Sequence, residues 1–78
     1  MEGGNMNDSV IQFLKRNGFR KKGELENILT NDKCEVRLYD ACYEVEDSFG
    51  IMYSQDLSIY WLIGVLTYRG YIKKEYTN

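Results

Sequence analysis

Twelve consecutive residues, from Leu57 to Tyr68, carry no charge and include the only tryptophan of this 78-residue chain. Apolar residues fill every angular position of two helical turns in this run, which is more than one small core can cover. The run is also well short of the ~20 apolar residues that span a bilayer. We therefore predict a central helix over about residues 55–69, capped by Ser54 or Asp56 and ended by Gly70.

Another helix is predicted near the start of the chain, over residues 8–17. Apolar residues recur there at helical spacing, namely Val10, Ile11, Phe13 and Leu14. Asn17-Gly18 is typical of a helix end, where the glycine adopts the left-handed conformation and the next aromatic residue folds back on the helix. Residues 1–7 are small and polar, so we expect a disordered tail.

The middle of the chain predicts an antiparallel hairpin. Apolar residues alternate with polar ones on both sides of Asp40-Ala41, but with opposite parity, which indicates a turn there. The expected register pairs Val36 with Val45 and Leu38 with Tyr43 on the core face. On the outer face it pairs Arg37 with Glu44 as an ion pair. Glu35 then lies opposite Glu46, where repulsion between the two carboxylates costs a little stability.

Weaker signals complete the sheet. Residues 24–30 fit a short helix or an edge strand, and we favour the strand. The turn at residues 47–50 returns residues 51–53 along the hairpin with Met52 near Val45, and residues 71–73 add a short strand. The prediction is one α+β domain over residues 1–78, a three- or four-stranded antiparallel meander with two helices packed on one face, in the order α-β-β-(β)-β-α.

Composition excludes several kinds of chemistry. The chain has no histidine and only two cysteines, Cys34 and Cys42, which cannot complete a four-ligand zinc site or a disulfide framework. No phosphate loop, calcium loop or nucleophile motif is present. We therefore expect no enzyme activity, no metal and no cofactor. The first residues lack the basic and apolar regions of a signal peptide, which predicts a cytoplasmic location.

Charge is distributed unevenly along the chain. Residues 24–56 hold nine acidic and two basic residues, whereas the segments on both sides are mildly basic. One interpretation is a solvated strand face. The other is an acidic patch, formed by Glu35, Glu44, Glu46 and Asp47, that engages a basic partner or mimics nucleic acid for a protein that binds it.

The end of the chain suggests an alternative function. Its pattern, Leu62-x-x-Val65-Leu66-x-x-Arg69-Gly70-Tyr71-Ile72-Lys73-Lys74, resembles the passage from helix to wing in winged-helix domains. This resemblance covers residues 62–74 alone and implies a nucleic-acid-binding module. The helix is apolar, however, so it has no polar face to read bases, and the acidic pI also disfavours nucleic acid.

Protein binding is the function that these patterns favour. If one side of the last helix packs on the sheet, the flanking face holds Tyr60, Trp61, Gly64 and Tyr68. Tyrosine and tryptophan often anchor interfaces, and Gly64 would let another backbone approach closely. The alternative is that these residues lie in the core, with Gly64 making room for the sheet or the first helix. We predict a non-catalytic interaction or inhibitor protein, of the kind carried by phages and mobile elements. It would bind a protein partner, or form a homodimer.

Overall fold

The computed structural model describes residues 7–73. The structure consists of two helices and a five-stranded antiparallel sheet, so the fold is α+β as predicted. One helix precedes the strands in the chain and the other follows them. The helices are α1 (Asp8–Arg16) and α2 (Ile59–Tyr68), and the strands are β1 (Arg20–Lys21), β2 (Ile28–Thr30), β3 (Glu35–Leu38), β4 (Tyr43–Asp47) and β5 (Gly50–Tyr53). The strands lie side by side in sequence order, which makes the sheet a meander. The predicted number of strands, three or four, is too low.

Helix α1 confirms the first predicted helix. Asn7 is its N-cap residue. After the helix, Gly18 has φ +93°, and the amide of Phe19 donates to the carbonyl of Leu14 at 3.0 Å. This Schellman-type ending turns Phe19 into the core, where it is buried. Residues 1–6 of the predicted disordered tail lie outside the described residues.

Strand β1 is the strand that the sequence did not predict. It has only two residues, which pair with the end of β2 after the chain reverses at Gly23 (φ +61°). An Arg-Lys pair has no alternation of apolar and polar residues, so no periodic signal marks it. Because β1 covers one side of β2, β2 is an internal strand and not the predicted edge strand. Residues 24–27 belong to the connection and not to the strand.

The predicted hairpin is confirmed pair by pair. Across β3 and β4 the partners are Val36 with Val45, Leu38 with Tyr43, Arg37 with Glu44, and Glu35 with Glu46. Strand β5 returns beside β4 and places Met52 opposite Val45, as predicted.

A single hydrophobic core packs both helices on one face of the sheet. Helix α1 contributes Val10 and Leu14, and α2 contributes Leu62 and Leu66. The strand residues of the core share one face because they alternate along each strand and lie opposite one another across the sheet; they are Leu29, Val36, Leu38, Tyr43 and Val45. Within residues 7–73, no helix covers the other face, which we call the outer face of the sheet.

Helix α2 begins later than predicted. Its N-cap is Ser58, whose hydroxyl accepts a hydrogen bond from the amide of Trp61 at 3.4 Å. The predicted cap Ser54 has another role, because its hydroxyl accepts from the amide of Tyr43 at 2.7 Å and donates to the carbonyl of Asp56 at 2.6 Å. Ser54 therefore ties the loop before α2 to the sheet.

The segment after α2 also differs from the prediction. Gly70 (φ +79°) ends the helix as predicted, but residues 71–72 form bends and Lys73 has no regular structure, so no strand is present there. Ile72 is buried in the core, and the side-chain amide of Asn31 donates to the carbonyl of Tyr71 at 3.4 Å. The segment is thus held by packing and side-chain contacts and not by strand pairing.

Candidate protein-interaction surface

One side of α2 presents two highly exposed tyrosines. Tyr60 is 81% exposed and Tyr68 is 88% exposed, and the exposed Gly64 lies midway between them. Residues four apart lie on the same side of a helix, so the three are aligned along about 12 Å of its axis. We call Tyr60, Gly64 and Tyr68 the tyrosine face.

The opposite side of α2 fits the core, which explains why the tyrosine face is left outside. Leu62 and Leu66 are fully buried, while Ile59 and Val65 are half-buried against the core. Trp61 is also half-buried and packs on the core. Of the four residues predicted on the flanking face, Trp61 is therefore the one that serves the fold as well as the surface.

Gly64 does not make room for a neighbouring element. Apart from its chain neighbours and the backbone of its own helix, a Cβ built at this position would meet no described atom within 4 Å. The alternative in which Gly64 accommodates the sheet or α1 is therefore wrong. The space above the glycine is open to solvent or to a partner.

The tyrosine face has no ionic component. No charged residue occurs between Ser58 and Tyr68. The first charged residue after the helix, Arg69, turns toward the β4–β5 hairpin, where its guanidinium lies 3.6 Å from the carboxylate of Asp47 and 5.1 Å from the ring centroid of Phe49. Contacts on the tyrosine face would therefore be apolar or hydroxyl-mediated.

Three of the four predicted acidic residues surround one arginine on the outer face of the sheet. The guanidinium of Arg37 donates to Glu44 and, at 2.7 Å, to Glu46, and it lies 2.5 Å from Glu35. We call Arg37, Glu35, Glu44 and Glu46 the carboxylate cluster. The predicted ion pair of Arg37 with Glu44 is confirmed. The expected repulsion between Glu35 and Glu46 is relieved because the same guanidinium bridges both.

Further contacts complete this network within the chain. Lys22 donates to Glu35 at 2.9 Å and thereby lowers the pKa of that carboxyl group. The hydroxyl of Tyr39 donates to Glu44 at 3.1 Å, which raises the pKa of the tyrosine. Only 6% of the Glu44 side chain is exposed, against 43% for Glu46. Glu46 is therefore the member of the carboxylate cluster that is most available to a partner.

Asp47 lies apart from the carboxylate cluster. Its side chain is 1% exposed, and its two oxygens accept hydrogen bonds from the amide of Phe49 at 2.8 Å and from the hydroxyl of Tyr71 at 2.7 Å. The bond from Tyr71 lowers the pKa of Asp47, and the carboxylate in turn raises the pKa of Tyr71. Asp47 thus joins the β4–β5 turn to the segment after α2, and its carboxylate is almost fully shielded from solvent.

A shallow cleft between the two helix ends collects basic residues. Its lining includes Arg16 and Asn17 at the end of α1, Gly70 at the end of α2, and the side chains of Lys33 and Lys73. The carbonyl end of a helix carries partial negative charge, which Arg16 complements because it lies in the last turn of α1. The strand needed for a wing is absent from residues 71–73, and Lys74 lies outside the described residues.

The hairpin of β4 and β5 exposes apolar residues that are not among the predicted site residues. Phe49 is 78%, Ile51 49% and Tyr53 61% exposed. A sequence signal for this surface exists, because the eight residues from Ser48 to Gln55 carry no charge. The strand edge was nevertheless not predicted as an interaction surface.

Comparisons with protein-family models, curated proteins and solved structures gave no match. Within residues 7–73, no group of three or more cysteine, aspartate or glutamate side chains is placed to hold a metal ion. Neither of the two described helices has the length and hydropathy required to cross a membrane.

Proposed function

We propose that this chain is a non-catalytic protein-interaction domain that binds a partner protein through the tyrosine face. The observation that carries the proposal is the exposure of Tyr60 and Tyr68 on either side of a glycine with open space above it. Single exposed apolar residues are common on proteins, but two tyrosines aligned on one uncharged helix form a continuous surface. Tyrosine provides a large contact area and a polar tip, with few rotatable bonds to order.

The chemistry of the tyrosine face fits an apolar helix of another protein. Between Ser58 and Tyr68 there is no charge that could pair with a charged partner, and such a partner would leave its own charges desolvated. Gly64 permits a second helix to approach to about 8 Å between the axes, the lower end of the usual range. Tyr60 and Tyr68 would then flank the crossing point.

The carboxylate cluster supports a binding role less well. Each of its carboxylates already has a cation within the chain, so a basic partner would compete with Arg37 for the same oxygens. The acidic-patch hypothesis stays a prediction, and Glu46→Lys is its most direct test because Glu46 is the most exposed member. The cytoplasmic location and the absence of catalysis belong to the same proposal and rest on the sequence.

Photo-cross-linking in the native cell tests the proposed partner site. A photoreactive phenylalanine at position 60 or 68 is expected to trap one protein of defined mass. The matched control carries the same residue at Gln12, which is exposed on α1. Equally abundant adducts from Gln12 would contradict the proposal, and so would an adduct made of two copies of this chain.

A binding measurement with the purified partner completes the test. Tyr68→Ser is expected to weaken binding by roughly tenfold or more, as loss of an interface anchor does. Circular dichroism should show an unchanged fold, because Tyr68 is outside the core. Unchanged affinity of the Tyr68→Ser variant would refute the proposal even if a partner had been trapped.

A further inference from the structure

The two edges of the sheet differ in their chemistry. The β1 edge consists of Arg20 and Lys21 alone, and short charged edges resist pairing with other chains. The β5 edge has no charged residue, and the uncharged run around it extends from Ser48 to Gln55. One edge is therefore protected by charge, and the other is not.

The backbone of β5 directs polar groups outward along this edge. The amide of Ser54 donates to the carbonyl of Tyr43 at 2.9 Å, which marks a hydrogen-bonded pair of the β4–β5 ladder. Such pairs alternate with pairs whose backbone groups point away from each other. It follows that Met52 bonds to β4, while the N–H and C=O groups of Ile51 and Tyr53 face away from it. Within residues 7–73, no sixth strand lies beyond β5.

We propose that β5 pairs antiparallel with β5 of a second copy of this chain, with the two-fold axis at Met52. In this register Ile51 lies opposite Tyr53 of the partner subunit, and the reciprocal pair forms on the other side of the axis. Each pair exchanges two hydrogen bonds through the groups that face outward. The two five-stranded sheets become one continuous sheet.

The side chains of β5 favour a second copy as the occupant of this edge. At a two-fold axis every charge meets its own copy, and β5 itself carries no charge. The one cation that contacts Met52 is Arg69, whose guanidinium lies 3.6 Å from the Met52 sulfur and is paired with the carboxylate of Asp47, also at 3.6 Å. Ile51 and Tyr53 both project from the outer face of the sheet, so each Ile51 packs beside Tyr53 of the partner subunit. A β-branched residue opposite an aromatic one is a stabilising cross-strand pair.

The contact is small, so the dimer should form only at high protein concentration. Strand β5 has four residues, and an interface of this extent falls in the class of weak, transient contacts. The pairing uses the edge of β5, whereas the tyrosine face lies on α2 and points away from the core. A variant of one surface therefore leaves the other intact.

Sedimentation analysis of the full chain tests the pairing. The mass is expected to rise from 9.2 kDa toward twice that value as the concentration increases to about 1 mM. Ile51→Pro removes an outward N–H without removing a bond to β4, and proline is tolerated on edge strands. This variant should stay monomeric, whereas Ile51→Thr, which keeps the N–H, should still dimerise. A mass of 9.2 kDa for the wild type at every concentration would overturn the proposal, as would dimerisation of Ile51→Pro.

A disulfide test fixes the register and does not depend on the proline variant folding. In a Cys42→Ser background, Met52→Cys places two thiols across the axis, where the backbones are about 4.5 Å apart and a disulfide can form. Phe49→Cys, in the turn just before β5, is the control and would place its two thiols roughly 20 Å apart. Cross-linking is expected at position 52 and not at position 49. The reverse result overturns the register, and loss of the dimer in Tyr68→Ser would assign dimerisation to α2 instead.

Discussion

Replacing Gly64 by alanine should stabilise this protein. Glycine in the interior of an exposed helix costs about 0.8–1 kcal/mol relative to alanine, because it loses more conformational freedom on folding. At Gly64 the added methyl group meets no described atom within 4 Å other than those of its chain neighbours and of the α2 backbone, and φ is not positive. No clash or backbone strain therefore offsets the increase in the free energy of unfolding. For a domain of 60–100 residues, this free energy corresponds to a melting temperature higher by roughly 4–8 °C.

Gly70→Ala is the matched control, because it makes the same chemical change at the end of the same helix. Gly70 also has open space around it, but its φ is +79°. Alanine in the left-handed region costs about 1–2 kcal/mol. The two variants should therefore shift the free energy of unfolding in opposite directions, because the backbone is helical at Gly64 and left-handed at Gly70.

Urea denaturation followed by circular dichroism measures both changes. The midpoint should move up for Gly64→Ala and down for Gly70→Ala, with unchanged slopes. A destabilised Gly64→Ala variant would show that another element packs on Gly64 and would refute its assignment to an open side of α2. If the tyrosine face binds a helix at close range, Gly64→Ala should also weaken partner binding while it stabilises the chain.

Three further predictions concern charge and thiol chemistry. Arg37→Met should destabilise the protein by about 2–3 kcal/mol at pH 7 in urea titrations, a value between those of surface and buried ion pairs, and by less at pH 3. The folded pKa of Asp47 is lowered, so its contribution is present above about pH 4 and lost as pH falls through the folded value. Asp47→Asn should therefore flatten the loss of stability between about pH 5 and pH 2. Burial raises the pKa of Cys34 to about 12, so a thiol reagent at pH 8 should modify the half-buried Cys42 alone until the protein is denatured.

The hairpin of β3 and β4 is the part of the fold that the sequence predicts best, because the positions of its apolar residues constrain one another. Val36, Leu38, Tyr43 and Val45 can face one core only if the turn falls at residues 40–41, and this fixes every pair of the hairpin. Strand β1 has two charged residues and no such constraint. It forms because the buried Phe19 and the turn at Gly23 bring it beside β2, which is a tertiary effect.

The contacts of the surface residues were predicted only where they follow from strand register. The pair of Arg37 and Glu44 is a register contact and was predicted. The position of Asp47 depends on Tyr71, which is 24 residues away and carries no pattern that links the two. Tyr60 and Tyr68 could be assigned to the free side of α2 because Leu62 and Leu66 define its buried side. Whether the sheet would cover them could not be decided before its size was known.

The two exposed surfaces are coupled by symmetry if both proposals hold. Pairing at β5 keeps Ile51 and Tyr53 of both copies on the same outer face, so the two-fold axis is perpendicular to the sheet. Both copies of α2 then lie on one side of the continuous sheet, and the dimer presents two tyrosine faces in the same direction. A dimer of this kind would bind a densely immobilised partner bivalently, with an apparent affinity about 10²-fold or more above that of one site.

Ile51→Pro separates the affinity of a single tyrosine face from the increase that dimerisation adds. The measurement uses a chain concentration that favours the dimer. On a densely coated surface the variant should lack the bivalent increase in apparent affinity. On a sparsely coated surface it should bind as the wild type does, because its tyrosine face is unchanged. A sensor surface coated at two densities with the purified partner measures this difference. If Ile51→Pro lowered the apparent affinity equally at both densities, β5 would contact the partner directly. The higher apparent affinity of the wild type on the dense surface could then not be attributed to pairing at Met52.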